Sequence, residues 1–445
     1  MSIVKDVFKH EVQPAMGCTE PIAVAFACSV AMTAVKKKFH PQPVECLGIE
    51  LRLDPAVIKN GMGVCVPNTN GERGNAIAAA LGALCGNPEH NLCLLDAVDG
   101  DALVAAKKLT SSGGIIITCV EHWHDLQIEV EVITSHGIGR ATIKGNHTNV
   151  VDVSVGNGWV VSDPAEDSSG VISEALPYKE FLAAMNISQI MDLVHTMDSS
   201  DLDHVRLGIN MNLAIANAGK GINGVGANLI QLLDQVQVVK DWQNKANVLA
   251  ACTAKAKMLV ACATDARMAG VNLSVMSSGG SGNQGIVASL VPHVFGRYHK
   301  IGDEKILQSI AFSHLLNSYV KCFVGELSPI CGCAVAAGLG ASAAIVFQQS
   351  EDAEIVGMAI NNVIGEISGM VCDGAKGSCS LKVVNSTECA IRSACLASKG
   401  FCVDANHGII GGSAEESIQN LAKLSNDGMR SVDSTIISMM VGSYA

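Results

Sequence analysis

Aromatic residues make up only 4% of this 445-residue chain, and charged residues 16%, although 49% of it is hydrophobic. An interior so poor in rings has to be built from Ala, Val, Ile, Leu, Met and Gly, and small residues let helices pack closely. That excludes an aromatic-rich sandwich and favours a tight helical body. Positive charge is also short: 30 Lys and Arg against 42 Asp and Glu give a net charge of −12 and a sequence pI near 5.5. Such a surface repels phosphate backbones, so no nucleic-acid partner is expected. An apolar leader is missing too. MSIVKDVFKHEVQPAMG carries Asp6 and Glu11, so we expect a cytoplasmic protein whose cysteines stay reduced. No uninterrupted membrane span is expected either. The uncharged stretch Leu327–Ser350 is long enough to cross, but Pro329, Gly332, Gly338 and Gly340 break it. It reads as a central buried helix, with no membrane partner.

The chain is rich in cysteine, with seventeen. Most stand singly in apolar text and read as small buried hydrophobes. Two groups differ: CGC at Cys331 and Cys333, and MVCDGAKGSC at 370–379, where Cys372 and Cys379 flank a glycine-rich turn. Neither spacing matches the C-x2-C pairs of zinc sites. An iron–sulfur cluster tolerates varied spacing, and three cysteine ligands would leave one iron open. Buried or redox thiols remain the alternative.

The text divides into an α/β portion over 1–180 and a helical portion over 181–445, an α+β fold. Thr19, Glu20 and Pro21 read as a helix start, with Lys36, Lys37 and Lys38 at its other end. Cys18 then sits at a helix N-terminus, where unpaired N–H groups stabilise a thiolate. A two-residue period from Gly113 to Val161 predicts an antiparallel sheet, and DPAEDSSG at 163–170 a loop. His122 and His124 in EHWH would share a strand face and could hold a metal, although no third ligand stands nearby. GKGING at 219–224 spells a dinucleotide fingerprint but follows helical text, so it reads as a helix junction. SSGGSGNQG at 277–285 offers many free N–H groups and the amides Asn283 and Gln284, suited to a small anion such as a carboxylate. The loop 61–74, with Asn68, Thr69, Asn70 and Arg73, is of the same kind.

GCTEP at 17–21, SGGSGNQG at 278–285, SPICGCAVAAG at 328–338 and MVCDGAKGSC at 370–379, taken in order, resemble the L-cysteine desulfidase family, which is related to the iron–sulfur L-serine dehydratases. The resemblance runs over nearly the whole chain. It implies a lyase with a [4Fe-4S] cluster and no PLP, releasing hydrogen sulfide, ammonia and pyruvate from L-cysteine. It implies Cys372, Cys379 and Cys333, preferred to Cys331, as cluster ligands, and Cys18 as the base that takes the Cα proton. Thr19, Glu20, Asn70, Ser281, Asn283 and Gln284 are the expected substrate contacts. The dehydratase branch has a histidine at the place of Cys18, which favours cysteine over serine as substrate. The alternatives are an L-serine dehydratase with the same cluster, or a non-enzymatic thiol-rich metal-binding protein. The partner expected is a small amino acid, and the many small-residue helices would suit a homodimer.

Overall fold

The computed structural model describes residues 2–156, 177–235 and 248–442. The expected strand GWVVSD and the acidic loop 163–170 lie outside them. Seven strands are present among the described residues: β1 (Pro14–Met16), β2 (Cys46–Leu53), β3 (Ile115–Cys119), β4 (Gln127–Thr134), β5 (Gly137–Lys144), β6 (Val150–Gly156) and β7 (Ser274–Met276). The remaining elements are helical, so the fold is α+β.

The larger sheet runs β3-β2-β4-β5-β6. It is antiparallel except at β3, which pairs parallel to β2 with Ile49 opposite Ile115. The expectation of a purely antiparallel sheet is corrected there. The helix Gly100–Ser111 leads into β3, and a crossover of that kind is what parallel pairing requires. Along β4 buried and part-exposed residues alternate, because one face of the pleat is covered. Its cover is the helix Thr19–Phe39, which lies over β4, β5 and β6. A second helix, Asn75–Cys85, packs on the first so closely that a methyl group on Gly82 would overlap the backbone of Ala25.

Two large apolar cores result among the described residues, besides a small cluster of Cys18, Val64 and Met268. One gathers Ile22, Phe26, Leu51, Leu81, Ile128 and Val132 between sheet and helices. The other fills the helical body, and it also takes in Val4, Val7 and Phe8 from the N-terminal helix Ile3–Glu11. The uncharged stretch forms the helix Val335–Gln349, buried from Val335 to Gln348. Among the described residues no helix is long and apolar enough to cross a membrane. His122 and His124 lie in an exposed turn after β3 and not on a strand, which removes the shared face their spacing suggested. GKGING is a helix junction, closing Ser199–Gly219 and leading into Val225–Gln235.

Candidate functional site

Two short backbone pairings assemble the site from distant parts of the chain. β1 pairs antiparallel with β7, which sets Gly17–Glu20 beside Ser277–Gln284. Further along, Ile330 bridges Val371, with Cys331 N–H donating to Met370 O (2.8 Å) and Cys372 N–H to Pro329 O (2.7 Å). The two cysteine groups, forty residues apart in sequence, are thereby held side by side.

Each pairing feeds a helix start. Cys18 is the N-cap of Thr19–Phe39, and Ser281 that of Gly282–Tyr298. Cys331 O accepts from Val335 N–H at the head of Val335–Gln349, and Cys379 opens Cys379–Ala397. The strand-to-helix turn before Cys18 needs Gly17: its φ is +67°, and any side chain would run into the ring of Pro67.

At the centre the buried Cys18 thiol donates to Glu20 Oε2 at 2.8 Å. Thr19 Oγ1 donates to the same oxygen at 3.3 Å, and Asn60 Nδ2 to Glu20 Oε1 at 3.0 Å. Asn60 also receives the Cys372 thiol on its Oδ1, at 3.7 Å, so one amide links the carboxylate to the cysteine loop. Burial, and then the charge of Glu20, push the Cys18 thiol well above its ordinary range. This runs against a thiolate at rest: burial, with the carboxylate two residues on, outweighs the helix terminus. Burial also works against ionising Glu20, but His147, the Cys18 hydrogen bond and Arg267 together bring it below the usual carboxylate value. The resting pair is a thiol donating to a carboxylate.

The cysteine loop is staked down by cations. Lys59 Nζ donates to Cys372 O at 2.9 Å, Lys382 Nζ to Val371 O at 2.8 Å, and Lys376 and Lys382 both grip Asp373. Burial raises the Cys372 thiol, with Lys59 opposing, and pushes Cys379 up to about 12. Cys331 is close enough that its charge would add to both shifts, and it is itself raised by a hydrogen bond with Cys333 and by burial. Cys333 also reaches toward Ser281 Oγ, at 3.8 Å. Both members of the pair thus lie at the mouth of the site, Cys331 acting on Cys372 and Cys379 through its charge and Cys333 bridging Cys331 and Ser281. All seventeen cysteines are free thiols. Among the described residues no three His, Cys, Asp or Glu side chains converge tightly enough for a single ion. A four-iron cluster spaces its thiolates more widely, and free, buried thiols flanked by three lysines suit its negative charge.

Of the expected substrate contacts, Thr19, Glu20, Ser281, Asn283 and Gln284 meet here. Asn283 Oδ1 and Gln284 Oε1 are buried without a hydrogen-bond partner. Asn70 does not: it is exposed at the tip of a turn, φ 56°, in a loop closed on itself by Thr69 Oγ1 to Val66 O (2.6 Å) and Arg73 Nη1 to Gly63 O (2.8 Å). Arg267, His147, Asn60 and Glu326 are residues that sequence reasoning passed over. A cleft of about 650 Å³, lined by Asp265, Met268, Lys376 and Gly224 among others, opens beside the assembly.

Comparison with known proteins gives the family of the chain. The profile of the family described as serine dehydratase alpha chain matches residues 123–438. A UPF0597 protein of Geobacter sulfurreducens is 44% identical over 99% of this chain and 98% of its own length. Another, from Elusimicrobium minutum, is 40% identical over 99% of both, and one from Alkaliphilus oremlandii 35% identical over 99% of this chain and 98% of its own. Full-length likeness to these proteins, and a profile match over most of the chain, mean that this protein belongs to the serine dehydratase alpha chain family and to its UPF0597 relatives.

Proposed function

We propose that the protein is a PLP-independent lyase that binds a [4Fe-4S] cluster and degrades L-cysteine to hydrogen sulfide, ammonia and pyruvate. The observation that carries the reading is the buried Cys18–Glu20 pair, linked through Asn60 to the loop of Cys372. Cys372, Cys379 and one thiol of the Cys331–Cys333 pair would hold the cluster. When bound, an iron without a protein ligand supplies a Lewis acid for the substrate's leaving sulfur.

The chain's own part is proton transfer in a dry site. As substrate binds, the Cys18 proton passes to the Glu20 carboxylate that it already faces. The thiolate then takes the Cα proton as the C–S bond breaks and hydrosulfide departs. The 2-aminoacrylate left behind hydrolyses to ammonia and pyruvate. A base paired with a carboxylate keeps its proton until substrate arrives, which protects a thiol from idle oxidation. The same parts would serve elimination of water from L-serine, and likeness to the serine dehydratase alpha chain family supports that second reading. The cysteine at position 18 favours L-cysteine.

Protein purified without oxygen should carry about four irons per chain with acid-labile sulfide, and should release sulfide and pyruvate from L-cysteine. Turnover of L-serine alone would give the reading to the dehydratase. Absence of iron after anaerobic reconstitution, together with no turnover of either amino acid, would sink both and leave a thiol-rich metal-binding protein.

A further inference from the structure

Arg267 lies in the last turn of the helix Val248–Met268 and is only 2% exposed. Its Nε and Nη2 are buried and meet no partner among the described residues. A guanidinium keeps its charge inside a protein, so these donors call for an anion. They face the substrate loop. A Cβ added to Gly282 would stand 2.8 Å from Arg267 Cζ, so the guanidinium rests against the first residue of Gly282–Tyr298, whose free N–H groups also favour an anion. Asn283, in the same turn, donates only to the Met268 sulfur, at 3.8 Å.

Two residues back along the loop the chemistry reverses. A Cβ on Gly280 would stand 2.8 Å from Glu326 Oε2 and 3.1 Å from His147 Nδ1. Both ring nitrogens of His147 and this Glu326 oxygen are buried without hydrogen bonds among the described residues, although Glu326 Oε1 holds Lys179 at 2.5 Å. Burial lowers the His147 pKa, which favours the ring form able to accept from a proton donor. An anion seat and a cation seat therefore sit on either side of Ser281, next to Cys18.

We propose that Arg267 anchors the α-carboxylate of an L-α-amino acid, with His147 and Glu326 receiving its α-ammonium across the Gly280–Gly282 turn. The assignment rests on the lyase reading for what is done to the amino acid, but not for its being bound. It places the Cα between the two seats, where a proton acceptor at Cys18 would be useful. It also makes the zwitterion, rather than the leaving group, the main feature recognised.

The test compares L-alanine, which has no leaving group, with L-alaninamide, which has no carboxylate, by calorimetry on the full chain purified without oxygen. The wild type should bind L-alanine more tightly by roughly tenfold or more, the worth of a hydrogen-bonded charge. Arg267→Gln should erase that preference and Arg267→Lys restore part of it, while Glu326→Gln should weaken both ligands and leave their ratio intact. A preference that survives in Arg267→Gln overturns the assignment. If that variant does not fold, the wild type still decides, since equal affinity for the two ligands overturns it as well. Iron content and L-cysteine turnover on the same sample separate the two claims: alanine preference without iron or turnover sinks only the lyase reading, and turnover without preference sinks only this one.

Discussion

Replacing Lys59 should loosen the C-terminal helix from the rest of the molecule. Lys59 sits in the helix Pro55–Met62 with its side chain fully buried, and its ammonium pairs with Asp433 at 2.6 Å while donating to Cys372 O at 2.9 Å. Asp433 belongs to the last helix, Val432–Gly442, and its side chain is 14% exposed. Lys59→Met keeps the apolar stem, so little cavity forms. It strands a carboxylate, at a cost of about 3–5 kcal/mol when the pair is fully buried, and orphans a carbonyl for roughly 1 more. Partial solvent at Asp433 brings the sum to about 3–4 kcal/mol. Burial acts to lower the Lys59 pKa, but the Cys372 and Asp433 charges outweigh it and the value is raised. A raised lysine contributes its full stability below the unfolded pKa, so the loss should be constant from pH 6 to 9 and fade only in strong alkali. Arg430, exposed just before the last helix, offers a tryptic site. A local opening cheaper by 3 kcal/mol should speed cleavage there by roughly a hundredfold. Lys59→Met with Asp433→Leu should recover most of the protection, because two apolar partners replace the stranded charge. Cleavage within threefold of the wild type in the single variant, or no recovery in the double, would refute the reasoning.

Four further outcomes are expected. Cys331→Ser should lower iron retention more than Cys333→Ser, and Cys18→Ala should keep its iron while losing turnover; iron analysis and a pyruvate assay on anaerobic protein read both. Gly82→Ala should cost about 3 kcal/mol or give insoluble protein, since the methyl overlaps backbone that cannot move aside, and soluble yield with melting temperature reports it. Burial holds His314 down at about 3 and His293 at about 4, so the unfolded chain binds more protons below pH 6.5. Stability should then fall as pH drops from 6.5 toward 4, by about 1.4 kcal/mol per pH unit for each histidine, and urea midpoints of His314→Gln should show a shallower slope.

The parts of this site that could be read in the sequence are those written in local chemistry. The start at Cys18 follows from its neighbours Thr19 and Pro21, and the loop 277–285 from its density of glycine, serine and amides. The central helix at Val335–Gln349 follows from lack of charge. What could not be read depends on partners far away in the chain. β1 and β7 have three residues each, too few to register a period. His147 reads as one more residue of a hairpin turn, and Arg267 as the ordinary basic end of a helix. Only folding shows that both are buried. The state of the Cys18 thiol is hidden for a related reason: the helix terminus is visible in the text, but the burial of Cys18 and Glu20 aimed back at it are not. Asn70 was drawn in by composition, and its loop spends its polar groups on itself.

The β1–β7 pairing also bears on how the protein is made. Met16 must wait for Ser274, about 260 residues later, before its strand has a partner. At synthesis rates of roughly 5–20 residues per second, that is between about 13 and about 52 s after Met16 leaves the ribosome tunnel. During that interval Cys18 has no shelter from the helical body, and its thiol meets whatever oxidants the surroundings hold. A chain of this design therefore has its most sensitive moment before it is finished, and an anaerobic setting would protect its assembly.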